Sequence, residues 1–231
     1  MKKYALSIIL LLIFSSSVCA DPIVFDFEDQ TATFITPPGS RTGALSTLTM
    51  TESGLSVTIT RESEGKFDLV SNTGNQDDKP TEFGSISLDP FFQETLNTAF
   101  ILNFSSPITS FSVQMGDYGS TGGDSDNAIL VQAYSGLNAT GSLLDSDSGA
   151  YGYGGFYTPD PSDDIITLQV GASGINSIRM IGGSTITPFP NSMFYDNLTV
   201  DTTTPVPEPS TMLLLGSGLL GLWGFRKKFK K

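Results

Sequence analysis

The chain has 231 residues, a formal net charge of −12, one cysteine and no histidine. Without histidine it cannot use a Ser-His-Asp or Cys-His mechanism, and it lacks the commonest zinc ligand. All but one of the 24 acidic residues, but only five of the 12 basic residues, lie between Asp21 and Thr204, so we expect a body that repels nucleic acid and anionic lipid.

Residues 1–20 are predicted to be a cleaved signal peptide. Lys2 and Lys3 precede an apolar segment, and small residues lead up to a cleavage site after Ala20. A retained signal anchor is the alternative, but the apolar segment is too short to span a membrane comfortably. Cleavage removes the sole cysteine, so the exported body must be held together by its core, by metal or by both.

Residues 21–201 are predicted to form one all-β domain, a single antiparallel β-sandwich or jelly roll. Short runs rich in Val, Ile, Phe, Tyr and Thr are separated by turn-forming residues, and no amphipathic helical pattern is found among them. The runs are 23–28, 55–60, 67–70, 85–88, 99–104, 111–115, 129–134, 165–170, 175–181 and 193–200. Two intervening segments, 41–53 and 145–164, are interpreted as long loops. This arrangement favours a sandwich over a repeat array.

Residues 116–127 form a candidate calcium site. Asp117, Asp124 and Asp126 offer hard oxygen ligands, and the glycines between them allow backbone carbonyls to turn inward. Calcium takes about six to eight oxygen ligands, which such a loop can supply. The spacing differs from that of an EF-hand, so a solvated turn between two strands is the alternative, and the acidity also serves plain solubility.

A second candidate calcium site joins the first and last strands of the domain. Phe194, Asp196 and Leu198 share one face of a regular strand, which places a carboxylate among apolar neighbours. A buried carboxylate must be hydrogen-bonded, paired or bound to metal. The predicted first strand offers Asp26 and Glu28, and Glu28 could hold a structural calcium together with Asp196. The alternative is that Asp196 lies at a strand end and accepts the backbone N–H groups of a turn.

The candidate glycan-binding residues are Tyr151, Tyr153 and Tyr157, in a glycine-rich segment. Aromatic side chains combine an apolar face with a polar edge, which suits sugar rings, although a loop packed over the domain by its aromatic residues is the alternative. A glycan hydrolase needs only two carboxylates at a fixed separation. No pair is marked out, and no nucleophile elbow, phosphate loop or zinc signature is present, so we expect no catalytic residue.

The C-terminus is a tail of three parts. They are a Pro-rich tether, 202–209, with Pro207, Glu208 and Pro209, an apolar segment, 210–225, and a basic end, 226–231, with Arg226, Lys227 and Lys228. The apolar segment is predicted to be a transmembrane helix, yet it is short, since a hydrocarbon core of ~30 Å needs about 20 apolar residues. The basic end is expected to stay cytoplasmic, which leaves the body outside.

This order of parts closely resembles the PEP-CTERM sorting signal of Gram-negative bacteria. The resemblance is confined to the tail and includes the Pro-Glu-Pro motif, the short helix and the basic end. It implies that the protein is exported, is held transiently in the inner membrane, and is processed there by an exosortase. Delivery to the cell surface or an extracellular matrix would follow. An ordinary tail anchor is the alternative, and the tail implies nothing about the body.

The ends of the body, at 25–28 and 194–198, are also similar to jelly-roll modules of the galactose-binding type. That similarity implies a structural calcium between the first and last strands. We therefore expect a non-catalytic surface or matrix protein that binds or scaffolds exopolysaccharide, with calcium as its prospective cofactor. A secreted glycan hydrolase with paired carboxylates and a purely structural surface protein are the alternatives.

Overall fold

The structure is a computed structural model that describes residues 21–35, 43–62, 65–71, 84–89, 98–116, 129–149, 165–182 and 193–202. The predicted signal peptide, tether, sorting helix and basic end lie outside these ranges. Within them there are eleven strands and no α-helix. Accordingly, no helix among the described residues is long and apolar enough to cross a membrane.

The strands are short except for two. In chain order they are β1 Ile23–Phe25, β2 Phe34–Ile35, β3 Thr47–Glu52, β4 Leu55–Arg61, β5 Asp68–Ser71, β6 Ile86–Asp89, β7 Phe100–Gly116, β8 Ile129–Tyr134, β9 Leu143–Gly149, β10 Ile165–Ile181 and β11 Phe194–Thr202. Every pair of described strands is antiparallel except β2 with β5. The prediction of an all-β, mainly antiparallel domain is therefore confirmed.

The described strands form one continuous sheet in the order β2–β5–β6–β11–β7–β10–β8–β9. β1 pairs with β11, and the β3–β4 hairpin is attached to β7 through β4. Strands that are distant in sequence are therefore neighbours, which brings the first and last strands of the body together. Residues Asp21–Thr203 make up one compact unit.

β7 and β10 change partners along their length. Residues 100–104 of β7 pair with β4, whereas residues 108–116 pair with β11. β10 pairs with β7 over most of its length but reaches β8 only with residues 177–181. The sequence predicted two runs in place of each long strand, because Pro107 and Gly174 are typical strand breakers. In the structure they fall where the partner or the register changes, so the strand continues past them.

This change of partners divides the sheet into two halves. The exposed half comprises β3, β4, β8, β9, residues 100–104 of β7 and residues 177–181 of β10. The buried half comprises β5, β6, β11, residues 108–116 of β7 and residues 165–171 of β10. In the exposed half, most side chains on the sheet face that points away from the main core are at least partly exposed. In the buried half, that face is closed at β5, β6 and the start of β11, where Asp68, Asp89 and Asp196 are buried, and it is more open towards β10.

The inner face of both halves lines one apolar core. β4 alternates buried Leu55, Val57 and Ile59 with partly exposed polar residues, as its sequence predicted. Phe100 packs edge to face against Phe67 and Tyr195, with ring centroids 5.6 and 5.3 Å apart. Burial of one large apolar side chain contributes about 1.5–3 kcal/mol. The core thus supplies cohesion that a cysteine-free exported body needs.

β3 lies within segment 41–53, which the sequence predicted to be a loop; that prediction is wrong. Leu48 is half-buried and Met50 is buried against the core, while the threonines between them face outward. Two apolar residues are too few to mark a strand in so polar a segment. Ser53 and Gly54, with φ of 50° and 81°, close the β3–β4 hairpin with the φ pattern of a type I′ turn.

β9 lies partly within the other segment predicted to be a loop, 145–164, so that prediction is also wrong at its start. The partly buried positions of β9 include Asp145 and Asp147, so the apolar alternation that marks other strands is missing. Asp145 Oδ2 accepts the N–H of Gly171 at 2.8 Å, and Asp147 Oδ2 accepts the N–H of Gln169 at 2.9 Å. Two carboxylates therefore join β9 to β10, where the strands share no backbone pairing.

β11 contains a bulge at Asn197, whose φ is 49°, and its register against β7 shifts there. The extra residue inverts the alternation of side chains. Tyr195 and Leu198 both belong to the main core, while Phe194 belongs to a small separate cluster. The prediction that Phe194, Asp196 and Leu198 share one face is therefore wrong.

Candidate functional site

The exposed half presents a broad polar surface, which we call the polar face. Its polar outward side chains are Thr47, Thr49, Thr51, Ser56, Thr58, Thr60, Asn103, Ser105, Gln132, Tyr134 and Arg179, and the apolar Ile101, Leu130 and Ile181 point outward among them. They alternate along each strand with residues of the core. Strand register sets Thr58 beside Asn103 and Arg179 beside Gln132. The face crosses five neighbouring strands in the order β3–β4–β7–β10–β8. At about 4.8 Å between strands, it is roughly 19 Å wide.

Arg179 is the centre of a hydrogen-bonded cluster on this face. Its Nε and Nη2 atoms donate to the two carboxylate oxygens of Glu62, at 2.6 and 3.1 Å. Its Nη1 atom donates to Gln132 Oε1 at 3.2 Å, and the Tyr134 hydroxyl donates to the same oxygen at 3.3 Å. The Arg179 and Glu62 side chains keep 24% and 34% of their surface exposed, so a ligand on the face can reach the cluster.

The ion pair fixes the charge of both partners. The hydrogen bond from Arg179 holds the pKa of the Glu62 carboxyl below its usual range, against the opposing effect of partial burial. The same bond raises the pKa of the Arg179 guanidinium. Both groups therefore stay ionised near neutral pH, and their charges cancel within the cluster.

Hydroxyl groups on β3 and β4 form a second part of the polar face. Thr49 and Thr58 are directly opposite each other and their hydroxyls lie 3.1 Å apart, while the hydroxyls of Thr51 and Ser56 lie 2.7 Å apart. The N–H of Ser56 also donates to the Ser105 hydroxyl on β7 at 2.9 Å. A hydroxyl can donate and accept, so these groups can exchange one partner for a ligand without losing every bond.

The loop between β8 and β9 is anchored onto the same face. The N–H of Asn138 donates to Asn103 Oδ1 at 2.7 Å, and Asn103 Nδ2 donates to Asn138 Oδ1 at 2.8 Å. The N–H of Ala139 donates to the Ser177 hydroxyl at 3.0 Å. Asn138 and Ala139 both have left-handed φ angles, 56° and 53°. The two hydrogen bonds between Asn103 and Asn138 hold the loop at one edge of the polar face.

The polar face combines groups that recognise hydroxyl-rich ligands. Planar guanidinium, carboxylate and amide groups present fixed pairs of donors or acceptors, and Tyr134 adds an aromatic ring with a polar edge. The surface extends across several strands, which suits an extended polymer better than a small molecule enclosed in a cavity. The Glu62 carboxylate of this face is paired with Arg179.

Glu28, one of the two carboxylates of the predicted first-to-last-strand calcium site, contacts β6. Its Oε1 atom accepts the N–H of Ile86 at 3.0 Å and also the N–H of Ser85. A Cβ on Gly84 would lie 2.0 Å from that oxygen, so only glycine permits this approach. In the structure the Glu28 carboxylate therefore caps the beginning of β6.

Asp196, the other carboxylate, is buried beside the bulge of β11, with 1% of its surface exposed. Its Oδ1 atom accepts the N–H of Asn197 at 2.7 Å. The sequence left open that Asp196 lies at a strand end and accepts the N–H groups of a turn; in the structure it is the third residue of β11 and accepts an N–H at the bulge. The described residues contain no group of three or more Asp, Glu, His or Cys side chains that could hold a metal ion.

The remaining predicted site residues lie outside the described residues. They are Asp117, Asp124 and Asp126 of the calcium loop, Tyr151, Tyr153 and Tyr157 of the glycan loop, and Pro207, Glu208, Pro209, Arg226, Lys227 and Lys228 of the tail. Of these three sets, only the tail residues lie in a segment that matches a known family model, as described below.

The polar face was missed in the sequence. The runs 129–134 and 175–181 were recognised as strands, and Gln132, Tyr134 and Arg179 occupy their polar positions. Their alternation with apolar residues could have marked them as outward-facing. The sequence gives no sign that Glu62 lies beside Arg179, because 117 positions separate the two residues and only the strand order brings them together.

Residues 205–228 match the family model described as the PEP-CTERM protein-sorting motif. The chain carries a PEP-CTERM sorting motif. The match includes the Pro-Glu-Pro sequence and the basic residues 226–228, so the resemblance stated from the sequence is confirmed. The sorting motif implies an exported protein that is anchored transiently at the membrane and processed by an exosortase.

No curated protein matches the chain. Among solved structures, the K2 cleaved adhesin domain of Lys-gingipain is similar, with 14% identity and a TM-score of 0.43 over 79% of this chain and 98% of that chain. An arabinose-bound α-L-arabinofuranosidase, MgGH51, is similar with 9% identity and a TM-score of 0.45, over 80% of this chain and 27% of that one. Both likenesses are too distant to assign a fold family or a function.

Proposed function

We propose that the protein is a non-catalytic, glycan-binding component of the cell surface or the extracellular matrix. Its sorting motif implies export and processing, and the surface or matrix is the destination that we add. The observation that carries the glycan part is the polar face, where Arg179, Gln132 and Tyr134 meet in one exposed cluster. Exopolysaccharide is the proposed ligand because it combines dense hydroxyl groups with an extended shape.

The fold that we propose is a β-sandwich or jelly roll in which the two halves of the sheet enclose the core. The support is that β7 and β10 pass from one half to the other with a change of partner, and that both halves contribute to one apolar cluster. In such a fold the polar face is the outer surface of one layer. As an outer surface, the polar face would remain accessible to a ligand.

A binding assay tests the proposal. Exopolysaccharide from the bacterium that produces the protein is immobilised on a surface, and binding of the full chain is measured in mild detergent. Tyr134→Ala and Gln132→Ala should each weaken binding by about tenfold, the loss typical of a central contact residue. Val24→Ala, which shortens an exposed side chain on β1 outside the polar face, is the control and should bind normally. Normal binding by both polar-face variants would refute this location of the site.

Measurement of reducing sugar on the same samples separates the alternatives. Binding without release of reducing ends is the expected result. Steady release by the purified protein would show the secreted hydrolase, whereas neither binding nor release would leave the purely structural surface protein. Tyr151→Ala, Tyr153→Ala and Tyr157→Ala test, in the same assay, whether the glycine-rich segment contributes as the sequence predicted.

Calcium binding is a second proposal, based on the acidic residues 117, 124 and 126 and on the acidity of the body. Hard oxygen ligands of this kind suit calcium, and a metal that binds only the folded state raises the unfolding temperature. Thermal unfolding in calcium should therefore lie several degrees above that in chelator. Equal midpoints would remove calcium from the proposal and leave glycan binding untouched.

A further inference from the structure

We infer that the polar face selects neutral polysaccharide over polysaccharide that carries carboxylate groups. The inference rests on the proposed glycan binding and adds the charge class of the ligand. It follows from how the charges of the polar face are already used, together with the charge of the body around it.

Arg179 is the one cation among the described residues of the polar face, and three of its five N–H donors already have partners. Two of its nitrogen atoms bind Glu62 and a third binds Gln132. A guanidinium recognises a carboxylate best through two parallel N–H bonds, and here Glu62 already occupies the edge formed by Nε and Nη2. A uronate would have to displace Glu62 or bind the remaining N–H groups of Arg179, and in either case its negative charge would lie close to the Glu62 carboxylate.

The other described cations lie elsewhere. Arg61 is buried, with its Cζ atom 5.6 Å from the centre of the Phe100 ring, and it donates to the backbone oxygens of Lys66 and Thr98. Lys66 itself is exposed in the segment that precedes β5. Neither side chain belongs to the polar face, so the face is close to neutral overall.

The negative charge of the body around the polar face favours neutral polymers over polyanions. The excess of acidic residues between Asp21 and Thr204 produces a negative potential that repels a polyanion as it approaches. Salt screens such repulsion beyond about 8 Å at physiological ionic strength, so discrimination should be strongest in dilute buffer. A neutral polymer experiences no such repulsion.

Neutral sugars also match the hydrogen-bonding character of the polar face. The hydroxyls of Thr51, Ser56 and Ser105 and the amides of Asn103 and Gln132 offer both donors and acceptors. A sugar hydroxyl likewise donates and accepts, so it can replace one of the existing partners. An ionised carboxylate only accepts hydrogen bonds. It therefore cannot donate to the acceptor oxygens of the polar face, and it would place negative charge beside them.

Matched polymers provide the test. Soluble neutral polysaccharides, including pullulan and galactomannan, are compared with their own C6-oxidised derivatives, in which the primary alcohol has become a carboxylate. Binding to the full chain in mild detergent is measured across a range of salt concentrations. We expect at least one neutral polymer to bind and its oxidised form to bind roughly tenfold or more weakly in dilute buffer, with a gap that narrows as salt is added.

Glu62→Gln sharpens the result because it removes the carboxylate that occupies Arg179. This variant should gain affinity for the oxidised polymer selectively, whereas Tyr134→Ala should lose affinity for both polymers. Glu52→Gln, which makes the same change on the β3 strand of the exposed half, controls for the loss of one negative charge and should change the ratio little.

Three outcomes would overturn the inference. The oxidised polymer could bind as tightly as the neutral one in dilute buffer, or it could bind only in the presence of calcium. Alternatively, Glu62→Gln and Glu52→Gln could change the preference equally, which would make it a property of net charge and not of the cluster. If no polymer of either class binds, both the proposed glycan binding and this inference are wrong. If the neutral and oxidised polymers bind equally, only this inference is wrong.

Discussion

The two halves of the sheet share β7, β10 and one core, yet they use polar residues differently. In the buried half, the carboxylates of Asp68, Asp89 and Asp196 lie at 0–1% exposure. Asp68 is bound by a threonine hydroxyl and by two backbone N–H groups. On the polar face of the exposed half, Arg179, Gln132 and Glu62 bond to one another through their side chains.

This difference separates groups that hold the fold from groups that are available to a ligand. A buried carboxylate bound to backbone N–H groups cannot be replaced by water, so its removal leaves unsatisfied donors. Side chains bonded to one another at the surface can exchange a partner for water or for a sugar at little cost. We therefore expect substitutions in the buried half to change stability, and substitutions on the polar face to change binding.

Asp68→Ala should have the largest effect on stability. The carboxylate accepts the N–H of Gly43 at 2.9 Å and that of Ala44 at 3.0 Å, so it anchors the chain before β3 to β5. Its loss leaves the buried N–H of Gly43 and the part-buried N–H of Ala44 without this acceptor and should lower the free energy of unfolding by about 3 kcal/mol. Urea unfolding measures this. Asp26→Ala, at an exposed aspartate with one long bond to Glu28, should cost far less, and equal losses would contradict the comparison.

A second prediction concerns Gly84 and Glu28, at the beginning of β6. Gly84→Ala should displace the Glu28 carboxylate from its backbone partners and cost about 1 kcal/mol, the net value of such hydrogen bonds. In a Glu28→Ala background the same change should cost nothing, since the oxygen that the new Cβ would meet is gone. A double-mutant cycle on unfolding free energies measures this coupling, and purely additive effects would show that the two residues do not interact.

The carboxylates of Asp145 and Asp147 should matter locally. Replacement of both by Ala removes the acceptor oxygens, so the N–H groups of Gln169 and Gly171 lose their partners. Amide exchange at these two positions should accelerate by roughly fivefold, for a local cost of about 1 kcal/mol, with little change in global stability. Ser146→Ala with Ser148→Ala, on the outward side of the same strand, is the control and should leave these amides unchanged.

The sequence predicted the strands whose core residues alternate, and it failed where the inward positions are polar. β4 and β8 were recognised from Leu55-Ser-Val-Thr-Ile and Ile129-Leu-Val-Gln-Ala. β9 was missed because Asp145 and Asp147 occupy positions that usually hold apolar residues. β7 and β10 were each divided in two, because proline and glycine fall where a strand changes partner as well as where it ends.

The candidate site was even less accessible to sequence reasoning, because it depends on strand order. Each residue of the polar face occupies an ordinary polar position on its own strand. The cluster arises only when β10 lies between β7 and β8, which places Arg179 next to Gln132 and close to Glu62. The sorting tail is the opposite case. Its motif is contiguous, so the sequence alone was sufficient to identify it.

The smallest effect on stability is expected for Glu62→Gln, and its pH dependence provides the sharpest test of the exposed half. The folded-state pKa of Glu62 is lowered by the hydrogen bond from Arg179. The pair therefore stabilises the protein fully above the pKa of an unfolded glutamate, about 4.3, and this contribution is lost as the pH falls through the lower folded value. An exposed ion pair contributes about 0.2–1 kcal/mol, so the difference at neutral pH should be small.

Urea unfolding of the original chain and of Glu62→Gln at several pH values measures this difference. It should be constant from pH 7 down to about pH 5 and should disappear in more acidic solution. A large difference that persists in acid would mean that Glu62 supports the fold as Asp68 does, and the division between a structural half and a binding half would be wrong. A small difference that vanishes in acid, together with the changed polymer preference expected above, would place Glu62 on the binding side.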